Sequence, residues 1–410
     1  MAAPRDLKKG KLELYLYIQQ KKMENLKIKS FGPIDEADIN FGDLTLLVGP
    51  QASGKSVFIQ LLKLLVDKYH IRKTLQQYNY IWGKDTDKIL DLYFGEGMAK
   101  IWKANTEIKF DGKVYSKNFL GPQRTGRIGG TTKDEETLFY IPAQRILSVS
   151  DGRPKPFMEF DTSAPYVLRQ FSETLRQLLQ NGMGKLESIF PISNRLKTPL
   201  RNSFNKSIFH NGKIIMDERT GQKKLRMEVD GMSVPFITWS AGQKEFMPLL
   251  LGFYWLCPPS RISRKDSLKY VVIEEPEMGL HPQAIKSVIL QIIDLLSRDY
   301  KVIVSTHSPV LLEFAWAFNI LKKSKVDDDA LFELFEIPKT TPTKRLFKGI
   351  ISKKEINTFY FDREREKVIT KDISTLDAGS DDGAVSEWGG LSSFAGKATD
   401  IVSKYFIDEE

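Results

Sequence analysis

The residues best suited to chemistry stand in three short runs. The first, Gly49-Pro50-Gln51-Ala52-Ser53-Gly54-Lys55-Ser56, fits the pattern G-x-x-x-x-G-K-[ST]. Small residues at this spacing let successive backbone N–H groups wrap a phosphate at a helix N-terminus, where the helix dipole also favours negative charge. Lys55 is placed to reach the outer phosphates of a nucleotide, and the Ser56 hydroxyl to hold a magnesium ion. The second run, Tyr270-Val271-Val272-Ile273-Glu274-Glu275-Pro276-Glu277, is apolar and ends in carboxylates. A buried strand can aim such acids at the phosphates: Glu274 suits the magnesium shell, and Glu275 suits orienting or deprotonating an attacking water. The third run, Ser305-Thr306-His307-Ser308, follows another apolar stretch and offers His307 as a sensor of the terminal phosphate. A Glu-Glu pair alone is more often a solvated turn, and it is the company of the other two runs that changes its meaning.

These side chains need elements to position them. Residues 44–48 form a largely apolar run of the kind buried on both faces of a sheet, and a helix is expected over residues 55–69. Residues 270–273 and 302–305 read as two more buried strands, so that three polar strand ends share one sheet edge, where open α/β sheets bind ligands. Upstream, Leu26-Lys27-Ile28-Lys29 and Ala37-Asp38-Ile39-Asn40 alternate around Phe31-Gly32-Pro33-Ile34 and suggest a half-buried strand pair. Residues 91–116 read as short strands with an Asp111-Gly112 hairpin turn, and residues 121–130 as a flexible Gly/Arg loop. Between residues 165 and 180, Val167, Leu168, Phe171, Leu175, Leu178 and Leu179 share one side of a core-facing helix. Residues 208–236 suggest a meander turning at Asn211-Gly212, Thr220-Gly221 and Asp230-Gly231, and helices are expected over residues 242–256, 282–297 and 309–321.

With 410 residues, 41% hydrophobic and 28% charged, the chain can bury a substantial core. Its single cysteine, Cys257, excludes a disulfide framework and a multi-thiolate zinc site, and reads as a core thiol. No stretch supplies the roughly eighteen uninterrupted apolar residues of a membrane span, so a soluble, cytoplasmic protein with no membrane partner is expected. The net charge of +9 invites a nucleic-acid partner, but residues 1–22, with six Lys/Arg and two Asp/Glu, supply +4 of it. That stretch reads as an N-terminal extension or tag ahead of Met23.

Taken together, the runs resemble the ABC-type ATPases of the RecF, SMC and OLD group. Trp239-Ser240-Ala241-Gly242-Gln243-Lys244 resembles the family's signature, Glu275-Pro276-Glu277-Met278-Gly279-Leu280-His281-Pro282 its Walker B to D-loop passage, and Ser305-Thr306-His307-Ser308-Pro309 its switch segment. The resemblance spans residues 23–322, with residues 71–235 as a divergent β lobe and helical insertion and residues 323–410 as a tail packed on the head. It implies an α/β head with a mixed sheet core flanked by helices, and ATP with Mg2+ as ligands. It also implies ATP hydrolysis in a head-to-tail homodimer or higher homo-oligomer, each site joining Lys55 and Glu275 of one copy to Ser240, Gly242 and Gln243 of the other. By the same resemblance Gln144, in Tyr140-Ile141-Pro142-Ala143-Gln144-Arg145, is the expected Q-loop residue touching nucleotide and metal. Glu274 stands where the family more often has Asp, and Ala241 where it has glycine, a tolerable change if the backbone φ there is negative.

No long coiled-coil arm of the SMC kind fits between Gln144 and Ser240. The tail acids Asp327, Asp328, Asp362, Glu364, Asp381 and Asp382 read as solvated loops rather than nuclease ligands. Glu387-Trp388-Gly389-Gly390-Leu391 looks like a tail feature of small OLD-like ATPases, and the chain is similar in kind to the ATPases of the PARIS and Septu anti-phage systems. That likeness implies a sensor controlling a separate toxic effector such as a nuclease. A RecF-like DNA-binding role, through Arg261-Ile262-Ser263-Arg264-Lys265 and Lys353-Lys354, and an ATP-bound scaffold with little turnover are the alternatives.

Overall fold

The protein is described by a computed structural model covering residues 23–121, 134–183, 186–218, 221–259, 265–365 and 367–405. The expected N-terminal extension, nearly all of the Gly/Arg loop, Thr220 of the second meander turn and Arg261 to Arg264 of the basic cluster lie outside these residues.

Two alternating segments open the chain as an antiparallel pair, β1 (Asn25–Phe31) and β2 (Ile34–Asn40). The fully buried β3 (Leu44–Val48) then runs through the glycine-rich loop into helix α1 (Lys55–Gln77). The helix is longer than the sequence pattern indicates and is irregular at Asp67 (φ −116°, ψ 22°). There the Asp67 carboxylate accepts from the backbone amides of Thr137 and Leu138 at 2.9 and 3.0 Å, so the irregularity is fixed from outside the helix. Residues 91–94, expected as strand, belong to helix α2 (Thr86–Phe94), capped by Asp85. The hairpin at Asp111-Gly112 joins β4 (Trp102–Phe110) to β5 (Lys113–Tyr115), and β6 (Leu138–Ile141) follows.

The insertion contains α3 (Tyr166–Gln177), α4 (Thr198–Phe204) and a separate antiparallel sheet of β7 (Lys213–Asp217), β8 (Lys224–Val229) and β9 (Met232–Pro235), which is the meander read from the turns. Helix α5 (Ala241–Leu256), β10 (Tyr270–Glu274), α6 (Pro282–Ser297), β11 (Lys301–Ser305) and α7 (Pro309–Lys323) complete the expected succession.

The remainder of the chain departs from expectation. Residues 323–410 do not simply pack on the head: β12 (Ile356–Glu364) and β13 (Lys367–Asp372) enter its main sheet, whose order is β5-β4-β1-β2-β13-β12-β3-β11-β10-β6. β12 pairs in parallel with β3 and antiparallel with β13, and β13 joins β2, so the last two strands bridge the antiparallel half to the parallel half. Asp362 and Glu364, read from sequence as loop acids, lie on β12, and Lys371 bonds to Asp362 at 2.6 Å. Asp328 accepts from the amides of Gly349 and Ile351 at 2.5 and 2.9 Å, which gives that acid a structural task.

Alternation along the parallel strands divides the core. Leu46, Val48, Ile273 and Val304 face the cluster built with α5, α6 and α7, whereas Leu47, Val272 and Ile303 face α1. Burial on both faces explains why these strands are uniformly apolar up to their carboxyl ends. The fold is therefore α/β, a ten-stranded mixed sheet covered by helices.

Candidate nucleotide site

β11 lies between β3 and β10 and is parallel to both, with Ser305 opposite Leu47 and Glu274 opposite Ser305. All three polar runs therefore leave the sheet at one edge. β6 pairs in parallel with β10, Ile141 opposite Ile273, which brings Ala143, Gln144 and Arg145 to the same edge.

The glycine-rich loop has the backbone its composition permits. Gly49 (φ 147°) lies so close to β12 that a Cβ there would sit 2.6 Å from the Phe361 carbonyl oxygen. Lys55 is buried and folds back to donate to the carbonyls of Gly49 (2.7 Å) and Pro50 (2.9 Å) and to Ser53 Oγ (3.3 Å). Burial lowers its ammonium to about 8, against the pull of Glu275, Glu277 and Glu274. A cation so desolvated, surrounded by acids and loop carbonyls, is suited to receiving a phosphate.

Glu274 is buried, and burial raises its carboxyl above the ordinary glutamate range although the nearby Ser56 hydroxyl, the Ala143 amide and the Tyr140 hydroxyl pull it down. Its Oε2 accepts from the Ala143 amide at 3.2 Å, while its Oε1 is buried with no hydrogen-bond partner among the described residues. An orphaned carboxylate oxygen beside a serine hydroxyl is a donor set that fits a hard divalent cation. Gln144 is exposed and begins a short 3-10 turn one residue beyond the Ala143 amide that touches Glu274, so it adjoins this pair without a direct bond to it.

Glu275 lies about 3.5 Å (Oε1) from His307 Nε2. The neighbouring His307 side chain is the main influence holding its carboxyl below the ordinary range despite partial burial, with further help from the Lys55 charge. It is thus ionised, as a proton acceptor must be. The Glu275 backbone is left-handed (φ 42°), its amide donates to the Ser305 carbonyl at 2.8 Å, and so the turn is tied to the end of β11.

Two residues given no role by the sequence reading are central to this edge. Glu277 accepts from Thr306 Oγ1 (2.7 Å) and the His307 amide (2.6 Å), and burial raises its carboxyl. It fixes the segment bearing His307. Arg145, fully buried, donates Nε to the Glu245 carbonyl (3.1 Å), Nη1 to the Glu274 carbonyl (2.9 Å) and Nη2 to the Glu275 carbonyl (3.0 Å). The only sequence signal for either was adjacency to a named motif.

Ser240 caps α5, and a reciprocal pair of bonds joins it to Gln243: Gln243 N–H to Ser240 Oγ at 3.3 Å, and Ser240 N–H to Gln243 Oε1 at 3.2 Å. Ala241 is the first helical residue and has no positive φ, so the departure from glycine carries no strain. At Gly242 a Cβ would sit 2.6 Å from the Gly279 carbonyl oxygen, so a glycine is needed where the start of α5 meets the turn at Gly279. Ser240, Gly242 and Gln243 touch one another, Lys244, Ile208, Gly279 and Leu280, and among the described residues none of them hydrogen-bonds to the glycine-rich loop or Glu275.

A parallel sheet edge carrying a phosphate loop, paired acids and a histidine defines a P-loop nucleotide-binding domain. Comparison with known proteins narrows this. Residues 142–313 match the family described as "AAA domain, putative AbiEii toxin, Type IV TA system", and residues 22–121 match "AAA ATPase domain". The chain is 24% identical over 266 residues to the Old nuclease of Escherichia phage P2, covering 61% of this chain and 42% of that protein. To Endonuclease GajA of Bacillus cereus (strain VD045) it is 22% identical over 342 residues, covering 71% of this chain and 56% of that protein. It thus spans about half the length of these curated relatives. Solved structures similar to it include the SMC head domain from Thermotoga maritima (13% identity, TM-score 0.36, 86% of this chain and 98% of that one) and an SMC head bound to the C-terminal winged-helix domain of ScpA (12%, TM-score 0.40, 86% and 97%). The chain carries AAA-family P-loop ATPase domains and is similar in sequence to the Old and GajA nucleases, consistent with the resemblance to the RecF, SMC and OLD group. No helix among the described residues is long and apolar enough to cross a membrane.

Proposed function

We propose that the chain binds ATP with Mg2+ at this edge and hydrolyses it in a composite site completed by a second copy. The carrying observation is the parallel β3-β11-β10 order, which brings Lys55, Glu274, Glu275 and His307 to one sheet edge. The loop amides and Lys55 bind the phosphates, and Ser56 with Glu274 hold the metal, Gln144 beside them. Magnesium, when bound, neutralises phosphate charge. Ionised Glu275 orients and deprotonates the attacking water, and His307, whose Nε2 lies 3.5 Å from its carboxylate, senses the terminal phosphate. Ser240, Gly242 and Gln243, which among the described residues make no hydrogen bond to their own chain's loop, close the site of the partner copy.

Measured as phosphate release, Lys55→Ala is expected to lose nucleotide binding, and Glu275→Gln to lose about 10²–10⁴-fold in turnover while still binding ATP. Turnover by Glu275→Gln equal to the parent chain would overturn the assignment of the base. On the similarity to two nucleases, we further infer that nucleotide state here controls a nuclease, carried on a separate chain, in anti-phage defence. Co-purification of a nuclease whose cleavage depends on ATP supports that role; nuclease activity indifferent to Lys55→Ala excludes it.

A further inference from the structure

Arg145 is a fully buried side chain whose guanidinium nitrogens each bond to a backbone carbonyl, and it has no ion-pair partner among the described residues at short range. The three carbonyls belong to two elements. Glu245 lies just past the first turn of α5, two residues beyond Gln243, whereas Glu274 and Glu275 end β10 and begin the turn carrying the proposed base. The fixed fork of a guanidinium spans three acceptors in one plane, which an ammonium on a flexible stem does not do. The Glu275 turn adopts a left-handed backbone that persists only when neighbours over-determine it. Here the Ser305 carbonyl holds its amide and Arg145 holds its carbonyl. The N-terminal end of α5 is held at a second point, where Gly242 lies against Gly279 just beyond the Glu275 turn.

We propose that Arg145 is a positioning residue coupling the signature helix to the Glu275 turn within one chain, so that engagement of Ser240 by nucleotide on a partner is transmitted to the base serving this chain's own nucleotide. This rests on the composite-site reading above. In a head-to-tail pair each chain's signature serves one site and its Glu275 the other, so a rigid link between them makes the two sites interdependent. Arg145 touches no reacting atom; it acts through the backbone at Glu275.

The test compares Arg145→Lys and Arg145→Met with the parent chain and with Glu275→Gln, using equilibrium ATP binding, steady-state hydrolysis and thermal unfolding. The expected result for both Arg145 variants is ATP affinity within about threefold of the parent, kcat lowered at least tenfold, and the ATP dependence of hydrolysis changed from sigmoidal to hyperbolic, with lysine giving no rescue. Unchanged kcat, full rescue by lysine, or a fall in kcat matched by an equal loss of ATP affinity would overturn the coupling role. If either variant fails to fold, hydrogen exchange on Glu275→Gln decides: on adding ATP, peptides spanning residues 240–248 and 272–280 gain protection together, whereas protection confined to the first contradicts the link. Absence of any ATP-driven association by Glu275→Gln would instead sink the composite-site reading itself, an outcome distinct from failure of Arg145 alone.

Discussion

At the scale of single residues, the legible part of the site is the part whose chemistry fixes a spacing. A phosphate loop must place its glycines, lysine and serine at set intervals, and so residues 49–56 declare themselves. Arg145 and Glu277 are of a different kind. Arg145 binds three carbonyls and Glu277 an amide and a hydroxyl, and such partners leave no pattern in a sequence because every residue has a carbonyl and an amide. Glu277 also yields a prediction. Glu277→Ala leaves the buried Thr306 hydroxyl and the His307 amide without their acceptor, so about 2–3 kcal/mol of stability should be lost in urea unfolding, together with most of the ATPase activity. Glu277→Gln, which keeps an acceptor oxygen, should lose less of both. Equal effects of the two substitutions would show that the carboxylate does not act through these bonds.

At the scale of elements, strands buried on both faces and helices with strong amphipathic patterns were readable, and α6 falls over the expected residues. Misreadings have physical causes. Helix α2 was hidden because its apolar residues crowd toward one end, although Asp85 offered a cap, accepting from the Asp87 and Lys88 amides. β12 was hidden because it ends in Asp362-Arg363-Glu364, whose charge suggested solvent while Ile356, Thr358, Phe359 and Phe361 are buried in the sheet.

The contact of α1 with the start of β6 carries a buried cluster in which Lys63 bonds to Asp67 (2.7 Å), Glu136 (2.9 Å) and the Leu138 carbonyl. Burial pushes the Glu136 carboxyl up, but Lys63, with His70, holds it below the ordinary range. A carboxyl depressed in the folded state stabilises above its unfolded pKa, and that contribution is lost as pH falls through the folded value. Lys63→Met, which strands two buried acids, should therefore cost about 3–5 kcal/mol near neutral pH. The deficit should shrink as the pH falls into the acid range, where Glu136 takes up its proton. A deficit independent of pH would show the loss to be one of packing. At the signature, Gly242→Ala puts a methyl against the Gly279 carbonyl and is expected to leave ATP binding near normal while weakening ATP-driven association at least tenfold; unchanged association would show that the D-loop contact is dispensable.

At the scale of the whole molecule, the least foreseen feature is that the chain closes its sheet with its last strands. β12 lies between β3, which feeds the phosphate loop, and β13, and Phe361 lies against Gly49. A chain ending at residue 322 would leave the β3 and β2 edges bare, and exposed edges pair with other chains. Such a truncation should aggregate or show no cooperative thermal transition; a soluble truncated chain with normal ATP affinity would contradict this dependence. Parallel pairing between strands some three hundred residues apart, as in β3 with β12, is set by tertiary topology, and no local periodicity reports it.

The proposed composite site requires that Ser240 of one copy meet the nucleotide of another, since among the described residues Ser240 makes no hydrogen bond to its own chain's loop. Light scattering on Glu275→Gln, with and without ATP and magnesium, tests this most directly. A rise to twice the mass or more with ATP, absent with ADP and absent in Glu275→Gln combined with Lys55→Ala, is the predicted result. A mass that is the same with ATP, ADP or no nucleotide would contradict it.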